Sequence, residues 1–256
     1  MAGTGGPVFD AERRKHMATA FLAGGDHYHR VRPGYPEESL GWLVEKTGQH
    51  IEKALDVGAG TGKYTQLLAR HGWAITAVDP SVDMLAQLAA DLPQVTTLVG
   101  TAEHLALPDA SADLVVVAQA WHWCDPLAAS TEIARVLRSN GTLGLIWNQL
   151  DVGIPWVHRL ARIMHAGDVH KPDFSPEVGP EFSLAEPLDT PWVQAVTAEE
   201  IMELAKSRSY YLKACETVRE KVMGNMRWYL FDHLGYAPGE VLDLPYVAQT
   251  WRAYKA

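Results

Sequence analysis

Cysteine is nearly absent from this chain: Cys124 and Cys215 are the two among 256 residues. They build no disulfide framework, and nothing pairs them at metal-ligand spacing. There are 11 histidines but no H-x-x-x-H or C-x-x-C, and the H-x-H of His27 and His29 is thin ground, so no metal is expected. Basic side chains are in short supply, with 22 Lys and Arg against 31 Asp and Glu and a formal charge of −9. That balance repels a phosphate backbone and an anionic bilayer, so neither a nucleic acid nor a membrane is an expected partner. No apolar run approaches the roughly 20 residues that span a bilayer. The start, MAGTGGPVFDAERRKH, has no apolar stretch after its charges and does not read as a signal peptide. The expected compartment is the cytoplasm. Internal repeats and low-complexity tracts are missing too.

What is present is an ordinary globular balance, 47% hydrophobic and 21% charged, with material for a core. The length fits one large domain or a domain with an appended cap. Residues 1–8 read as a frayed start. A helix is expected from Asp10 to Leu22, stopped by Gly24-Gly25. A polar, aromatic loop follows, kept from helix by Pro33 and Pro36, and Glu37–Lys46 reads as a second helix. Then the pattern becomes regular. Five short apolar runs, at 53–58, 74–79, 96–100, 113–119 and 142–147, alternate with helical stretches at Lys63–His71, Ser81–Asp91 and Ala128–Arg138. Such alternation implies βαβ crossovers and a parallel sheet buried on both faces. Right-handed crossovers make it an open, doubly wound α/β sheet. Beyond Trp147, six prolines from Pro155 to Pro191 break the region into a helix at Trp156–His165, a loop and extended pieces. Ala198–Tyr211 and Cys215–Leu230 read as helices, and 245–254 as a strand.

The first strand ends in Asp56-Val57-Gly58-Ala59-Gly60-Thr61-Gly62, with a helix directly after it. Glycines in such a turn let backbone approach a ligand closely. The free N–H groups of the helix start then face whatever is bound. A phosphate-cradling G-x-x-x-x-G-K-[ST] fails here, because Val57 stands five places before Gly62 and Tyr64 follows Lys63. The dinucleotide pattern G-x-G-x-x-G fits Gly58 and Gly60 but meets Lys63 where its third glycine belongs. The second strand ends at Asp79, 17 residues after Gly62. A carboxylate at that tip can accept both ribose hydroxyls of a nucleoside cofactor.

The D-x-G-x-G-x-G at 56–62 resembles motif I of the class I S-adenosylmethionine-dependent methyltransferases. Three more segments continue the resemblance in order, over about 95 residues: Gly100-Thr101-Ala102-Glu103, then Gln119-Ala120-Trp121-His122-Trp123, then RVLRSNGTLGLIW. Upstream, the segment from Tyr28 to Pro36, YHRVRPGYP, is similar to the Y-x-x-x-R-P-x-Y-P of small-molecule enzymes related to trans-aconitate methyltransferases. The resemblance implies a Rossmann-like, mainly parallel sheet of seven strands, its final antiparallel hairpin coming from the region after 180. It divides the chain into N-terminal helices and lid (1–46), a cofactor-binding core (47–150), and cap helices with the strands that complete the same sheet (151–256). It further implies S-adenosyl-L-methionine as cofactor, S-adenosyl-L-homocysteine as product and no metal. The implied donor site comprises Tyr28, Arg32, Asp56, Gly58, Ala59, Gly60, Thr61, Gly62, Asp79, Pro80, Met84, Ala102, Glu103, Gln119 and Ala120.

S-adenosylmethionine carries a sulfonium cation and an amino-acid carboxylate, and Arg32 is the residue expected on that carboxylate. Transfer is an in-line displacement, so positioning supplies most of the catalysis. A base is needed only where the acceptor loses a proton; a carboxylate acceptor needs none. His122, at the carboxyl edge of the sheet, is the candidate base, with a pocket-shaping role as its alternative. Tyr28 is expected beside the transferred methyl. Trp123, Trp147, Tyr210 and Tyr211 are the candidate substrate wall, with core packing as the competing role. The expected acceptor is a small molecule methylated at oxygen, nitrogen or carbon, with carboxylates and secondary metabolites as candidates, and the enzyme a monomer or homodimer. Residues 10–36 are expected to act as a lid hinged at Gly24-Gly25. Two other readings stay open: an NAD-linked oxidoreductase, and a non-catalytic protein that keeps the cofactor pocket.

Overall fold

The computed structural model describes residues 32–45, 50–165, 170 and 174–256. The expected helix at Asp10–Leu22, the candidate residue Tyr28 and most of the lid segment lie outside that range. Five parallel strands follow the expected runs: β1 (Lys53–Val57), β2 (Ala74–Asp79), β3 (Thr96–Val99), β4 (Ala112–Ala118) and β5 (Leu137–Leu150). Two more come from the last third of the chain, β6 (Glu186–Thr197) and β7 (Val241–Tyr254). The sheet runs β3-β2-β1-β4-β5-β7-β6, with β7 antiparallel to both neighbours. The mainly parallel, seven-stranded expectation holds.

Successive residues of a strand point to opposite faces, and β4 uses both. Leu114 and Val116 pack with Leu40 and Leu43 of α1 (Glu37–Glu45), Leu67 and Leu68 of α2 (Thr65–Leu68), and Leu88 of α3 (Val82–Asp91). Val115 and Val117 pack on the other side with Ile133 of α4 (Pro126–Val136) and Leu143 and Leu145 of β5. Each fully buried side chain of this size contributes about 1.5–3 kcal/mol, which is why the run DLVVV belongs at the centre. A third cluster covers the far end of the sheet. There Leu160 of α5 (Pro155–Ile163), Ile201 of α6 (Ala198–Lys206) and Met226 of α8 (Glu216–Arg227) meet Leu244 and Tyr246 of β7. Arg252 of β7 is fully buried, 3.7 Å over the Trp42 ring, and donates to the Trp42 carbonyl and to Glu186 at 2.6 Å each. It ties α1 to the antiparallel end.

The structure departs from the sequence expectations in four places. Pro187 and Pro191 do not break the chain but sit inside β6, because β6 is the last strand and an edge strand tolerates residues that lack an N–H. β5 runs well past 142–147, since β7 pairs with it from Thr142 through Leu150. The expected helix over 198–211 splits into α6 and α7 (Ser209–Lys213). At the break, the Ser207 hydroxyl donates back to the Leu204 carbonyl at 2.7 Å, and Arg32 Nη2 donates to the Ser207 carbonyl at 3.0 Å. These bonds offer the backbone an alternative to the next helical turn. α8 likewise stops at Arg227 and passes into a π-helical turn over Trp228–His233.

Candidate active site

The turn after β1 carries positive φ at Gly58 (70°), Gly60 (54°) and Gly62 (85°). Side chains are excluded from two of these positions by their neighbours: a Cβ at Gly58 would collide with the Ala120 Cβ, and one at Gly62 with the Leu88 side chain. At Gly60 the nearest atom is Met84 Sδ at 3.6 Å, so this side of the turn stays open to a cavity. The Gly58 and Ala59 N–H groups both donate to the Val78 carbonyl, at 2.8 and 3.1 Å. Asp79, at the end of β2, then locks the turn. Its Oδ2 accepts the Gly60 N–H and its Oδ1 the Ser81 N–H, each at 2.8 Å. Burial pushes its carboxyl upward, and the two N–H bonds pull against that.

Asp56 lies beneath the same turn and is wholly buried. Thr65 Oγ1 donates to its Oδ2 at 2.6 Å, while among the described residues Oδ1 has no hydrogen-bond partner. Burial pushes this carboxyl up to about 7. Thr61 Oγ1 is buried and unsatisfied as well. Across β4, Gln119 holds a left-handed φ of 56°, a conformation that costs a non-glycine residue about 1–2 kcal/mol. Two bonds to β5 hold it there: its N–H to the Ile146 carbonyl at 2.8 Å and Nε2 to the Asn148 carbonyl at 2.7 Å.

These elements enclose a cavity of about 280 Å³ at the carboxyl edge of the sheet, where open α/β sheets take their ligands. Of the candidate donor residues, Arg32, Asp56, Gly58, Ala59, Gly60, Thr61, Asp79, Pro80, Met84, Ala102, Glu103, Gln119 and Ala120 all line it, as does Trp123. Gly62 does not; it packs on Leu88 and serves the turn. Trp147 does not either. It is buried among His170 and Phe174, its ring 5.0 and 5.3 Å from theirs, and its indole N–H donates to His122 Nδ1 at 3.3 Å. His122 is outside the lining. Tyr210 stacks on His165 at 3.9 Å and Tyr211 lies under Arg219 at 5.6 Å, so the cap helices turn other residues inward. Those are Leu204 and Arg208, joined by Tyr35, Lys63, Tyr64, Cys124, Asn148 and Tyr246. Tyr35 and Asn148 carried a usable signal, one in the R-P-x-Y-P segment and one at the carboxyl end of β5. Nothing local marks Arg208, which reaches the cavity because the helix breaks just before it.

The donor set suits S-adenosylmethionine. An open face at Gly60 admits a ligand against backbone, Asp79 keeps lone pairs for hydroxyl donors, and the orphaned Oδ1 of Asp56, in the same lining, is an acceptor without a donor among the described residues. Arg32 and Arg208 in the same lining are cations suited to a carboxylate.

Residues 55–145 match the model of the methyltransferase domain family. An uncharacterized methyltransferase from Mycobacterium tuberculosis is 40% identical over 246 residues, covering 94% of this chain and 97% of its own. An uncharacterized methyltransferase-like protein of Schizosaccharomyces pombe is 35% identical over 203 residues, 76% of this chain and 79% of its own. Among solved structures, the YcgJ protein from Bacillus subtilis shares the fold with a TM-score of 0.53 and 19% identity, covering 86% of this chain and 99% of its own. A phosphoethanolamine N-methyltransferase from Haemonchus contortus, in complex with phosphomonomethylethanolamine and S-adenosylhomocysteine, shares it with a TM-score of 0.51 and 16% identity, covering 97% of this chain and 60% of its own. With its glycine turn, its sheet order and a relative matched along nearly its whole length, the chain belongs to the class I S-adenosylmethionine-dependent methyltransferases.

Proposed function

We propose that the protein moves the methyl group of S-adenosylmethionine to a small molecule bound against the wall formed by Leu204, Arg208 and Tyr246. One observation carries this reading. The glycine turn and the Asp79 carboxylate are bonded to each other at 2.8 Å and open on one cavity, which has a second wall of different chemistry. The donor supplies an activated methyl on a sulfonium. Asp79 accepts the ribose hydroxyls while holding the turn through Gly60 and Ser81. Asp56 faces the amino-acid end, and Arg32 takes its carboxylate. Ala102, Glu103 and Met84 border the base. The acceptor wall positions the nucleophile in line with the methyl, and exclusion of water by the apolar lining strengthens each charged contact. The complex of the same-fold Haemonchus enzyme with S-adenosylhomocysteine supports the choice of donor. Neither the geometry nor the relatives favour a dinucleotide oxidoreductase. Calorimetric titration with S-adenosylhomocysteine and, separately, with NAD tests the reading. Micromolar binding of the first alone is expected; binding of NAD alone would overturn it. Transfer of labelled methyl to components of a metabolite extract would then separate an enzyme from a binding protein.

A further inference from the structure

We infer that the protein carries a second binding site, for a phosphate monoester, in the cleft between α5 and α8. The site goes beyond the methyltransferase reading and does not depend on it. An open cavity of about 490 Å³ lies there, with His158, Arg159, Arg162, His165 and Asn225 as its polar lining, and none of its lining residues borders the donor cavity. Helical spacing explains the cluster. Positions 155, 158, 159 and 162 stand at i, i+3, i+4 and i+7, so they share the face of α5 opposite the buried Val157, Leu160 and Ala161. His165 extends the strip past the helix end, where its backbone takes a left-handed φ of 49° and its ring stacks on Tyr210 at 3.9 Å. Arg159 rests on a fixed platform. Its guanidinium carbon lies 5.2 Å from the centroids of both Trp228 and Tyr229, two consecutive rings that the π-helical turn after α8 brings to one cation. Tyr229 is buried, and its hydroxyl donates to the Trp156 carbonyl of α5 at 2.9 Å. Attraction of a cation to a ring face spends no N–H on an acceptor atom, so the five donors of the guanidinium stay available.

The charges of this cleft call for an anion. Among the described residues no carboxylate pairs with Arg159 or Arg162, and no Asp or Glu is in the described lining. In a chain of net charge −9 the cleft is a local reversal of sign. Two guanidinium groups three residues apart on one helix face repel each other until an anion lies between them. The number of donors then sets the ligand. A carboxylate offers two oxygens, which one guanidinium fork satisfies. A phosphate monoester offers three terminal oxygens and about −1.5 to −2 charge at pH 7. It can engage both forks and still present an oxygen to an imidazole or to the Asn225 amide. The cavity leaves room for a small organic group beyond the phosphate. The charge of the whole chain opposes approach to an anionic bilayer, which favours a soluble ester over a lipid headgroup.

The test is calorimetric titration of the full chain with glycerol 3-phosphate and with acetate at one ionic strength, beside flotation with phosphatidylcholine vesicles that contain phosphatidate. Glycerol 3-phosphate is expected to bind at least tenfold more tightly than acetate, and the vesicles to leave the protein in solution. Arg162→Gln and Arg159→Gln should each weaken the ester tenfold or more. Arg70→Gln, which removes an exposed arginine paired with Glu37 at 3.4 Å, should change its affinity less than twofold. Urea midpoints close to that of the parent protein show that the variants fold, and Arg162→Gln carries the test by itself if Arg159→Gln loosens the two rings. Failure of the ester to bind, acetate binding as tightly, or ester affinity that survives both arginine substitutions would overturn the inference. Capture by the phosphatidate vesicles without binding of the free ester would assign the cleft to a membrane surface and overturn it too.

Discussion

The two walls of the cavity are built by opposite means. The donor wall comes from the turn at 56–62 and from the ends of β2, β3 and β4, and much of it is backbone: glycine conformations, N–H groups and a carboxylate that holds them. The wall proposed for the acceptor collects single side chains from distant places, Asn148, Leu204, Arg208 and Tyr246. A wall made of backbone tolerates few changes, because each residue also sets the path of the chain. A wall made of side chains can change one residue at a time on an intact sheet. This contrast predicts where substitutions will unfold the protein and where they will only alter its ligands.

Gly58 should show the largest effect. Its φ of 70° costs an L-residue about 1–2 kcal/mol. The collision of a new Cβ with Ala120 adds about 1–3 kcal/mol of overpacking. Gly58→Ala should therefore lower the denaturant midpoint and abolish donor binding together. Gly60→Ala keeps the cost of a positive φ, 54°, but meets no atom closer than Met84 Sδ at 3.6 Å, so it should cost less stability than Gly58→Ala while still weakening donor binding. Equal effects of the two substitutions on stability would break the distinction between a glycine needed by the fold and one needed by the ligand.

Asp56 sharpens the comparison through pH. Its folded-state pKa, raised to about 7 from 3.8, means that the native protein keeps a proton which the unfolded chain releases above pH 4. Stability contributed by that proton is present at low pH and declines as pH rises from about 4 to about 7. The full decline is at most about 4 kcal/mol, at 1.36 kcal/mol per unit. Asp56→Asn should flatten this slope in urea titrations of the ligand-free protein and raise stability at pH 8, while weakening donor binding. An unchanged slope would show that the buried carboxyl is solvated when the chain is ligand-free.

Asp79→Ala comes next. Charge-assisted bonds of this kind are worth about 1.5–3 kcal/mol each, so donor affinity should fall roughly 10- to 150-fold. Asp79→Asn should recover little, because an amide replaces one of the two acceptors that now hold the Gly60 and Ser81 N–H groups. Calorimetry on both variants checks this, and near-normal affinity in either would remove Asp79 from the ribose.

The same contrast governs what the sequence made legible. The donor wall could be read because backbone geometry forces residue types at fixed spacing: only glycine serves at 58 and 62, and Asp79 must end β2. The central strands could be read because burial on both faces demands unbroken apolar runs such as DLVVV. β6 was expected only as an unbounded part of the hairpin after 180, because its position at the edge of the sheet, which a sequence does not display, is what makes Pro187 and Pro191 acceptable. Arg208 escaped because its role depends on a helix break set by Ser207 and by a bond from Arg32, 175 positions away along the chain. Trp147, Tyr210 and Tyr211 were chosen for chemistry that aromatic rings share with packing; none of the three lines the cavity, Trp147 being buried and Tyr210 exposed against His165.

His122 should give the smallest effect, and it decides whether the acceptor wall has a base beside it. The Trp147 indole N–H lies 3.3 Å from His122 Nδ1. A neutral ring that accepts at Nδ1 carries its proton on Nε2, so that nitrogen is a donor and not a base. The His122 ring also lies tilted against Trp123 at 4.5 Å, and Trp123 does line the cavity. The residue thus supports the wall through Trp123 and anchors it to β5 through Trp147. General-base catalysis contributes about 10²–10⁴-fold in rate; loss of a support of this kind costs on the order of one hydrogen bond, about 0.5–1.5 kcal/mol. His122→Gln, which keeps an acceptor for the indole, should slow single-turnover methyl transfer less than tenfold and leave the pH–rate profile unchanged in shape. A fall of a hundredfold with S-adenosylhomocysteine affinity intact, accompanied by loss of an inflection in that profile, would make His122 the base.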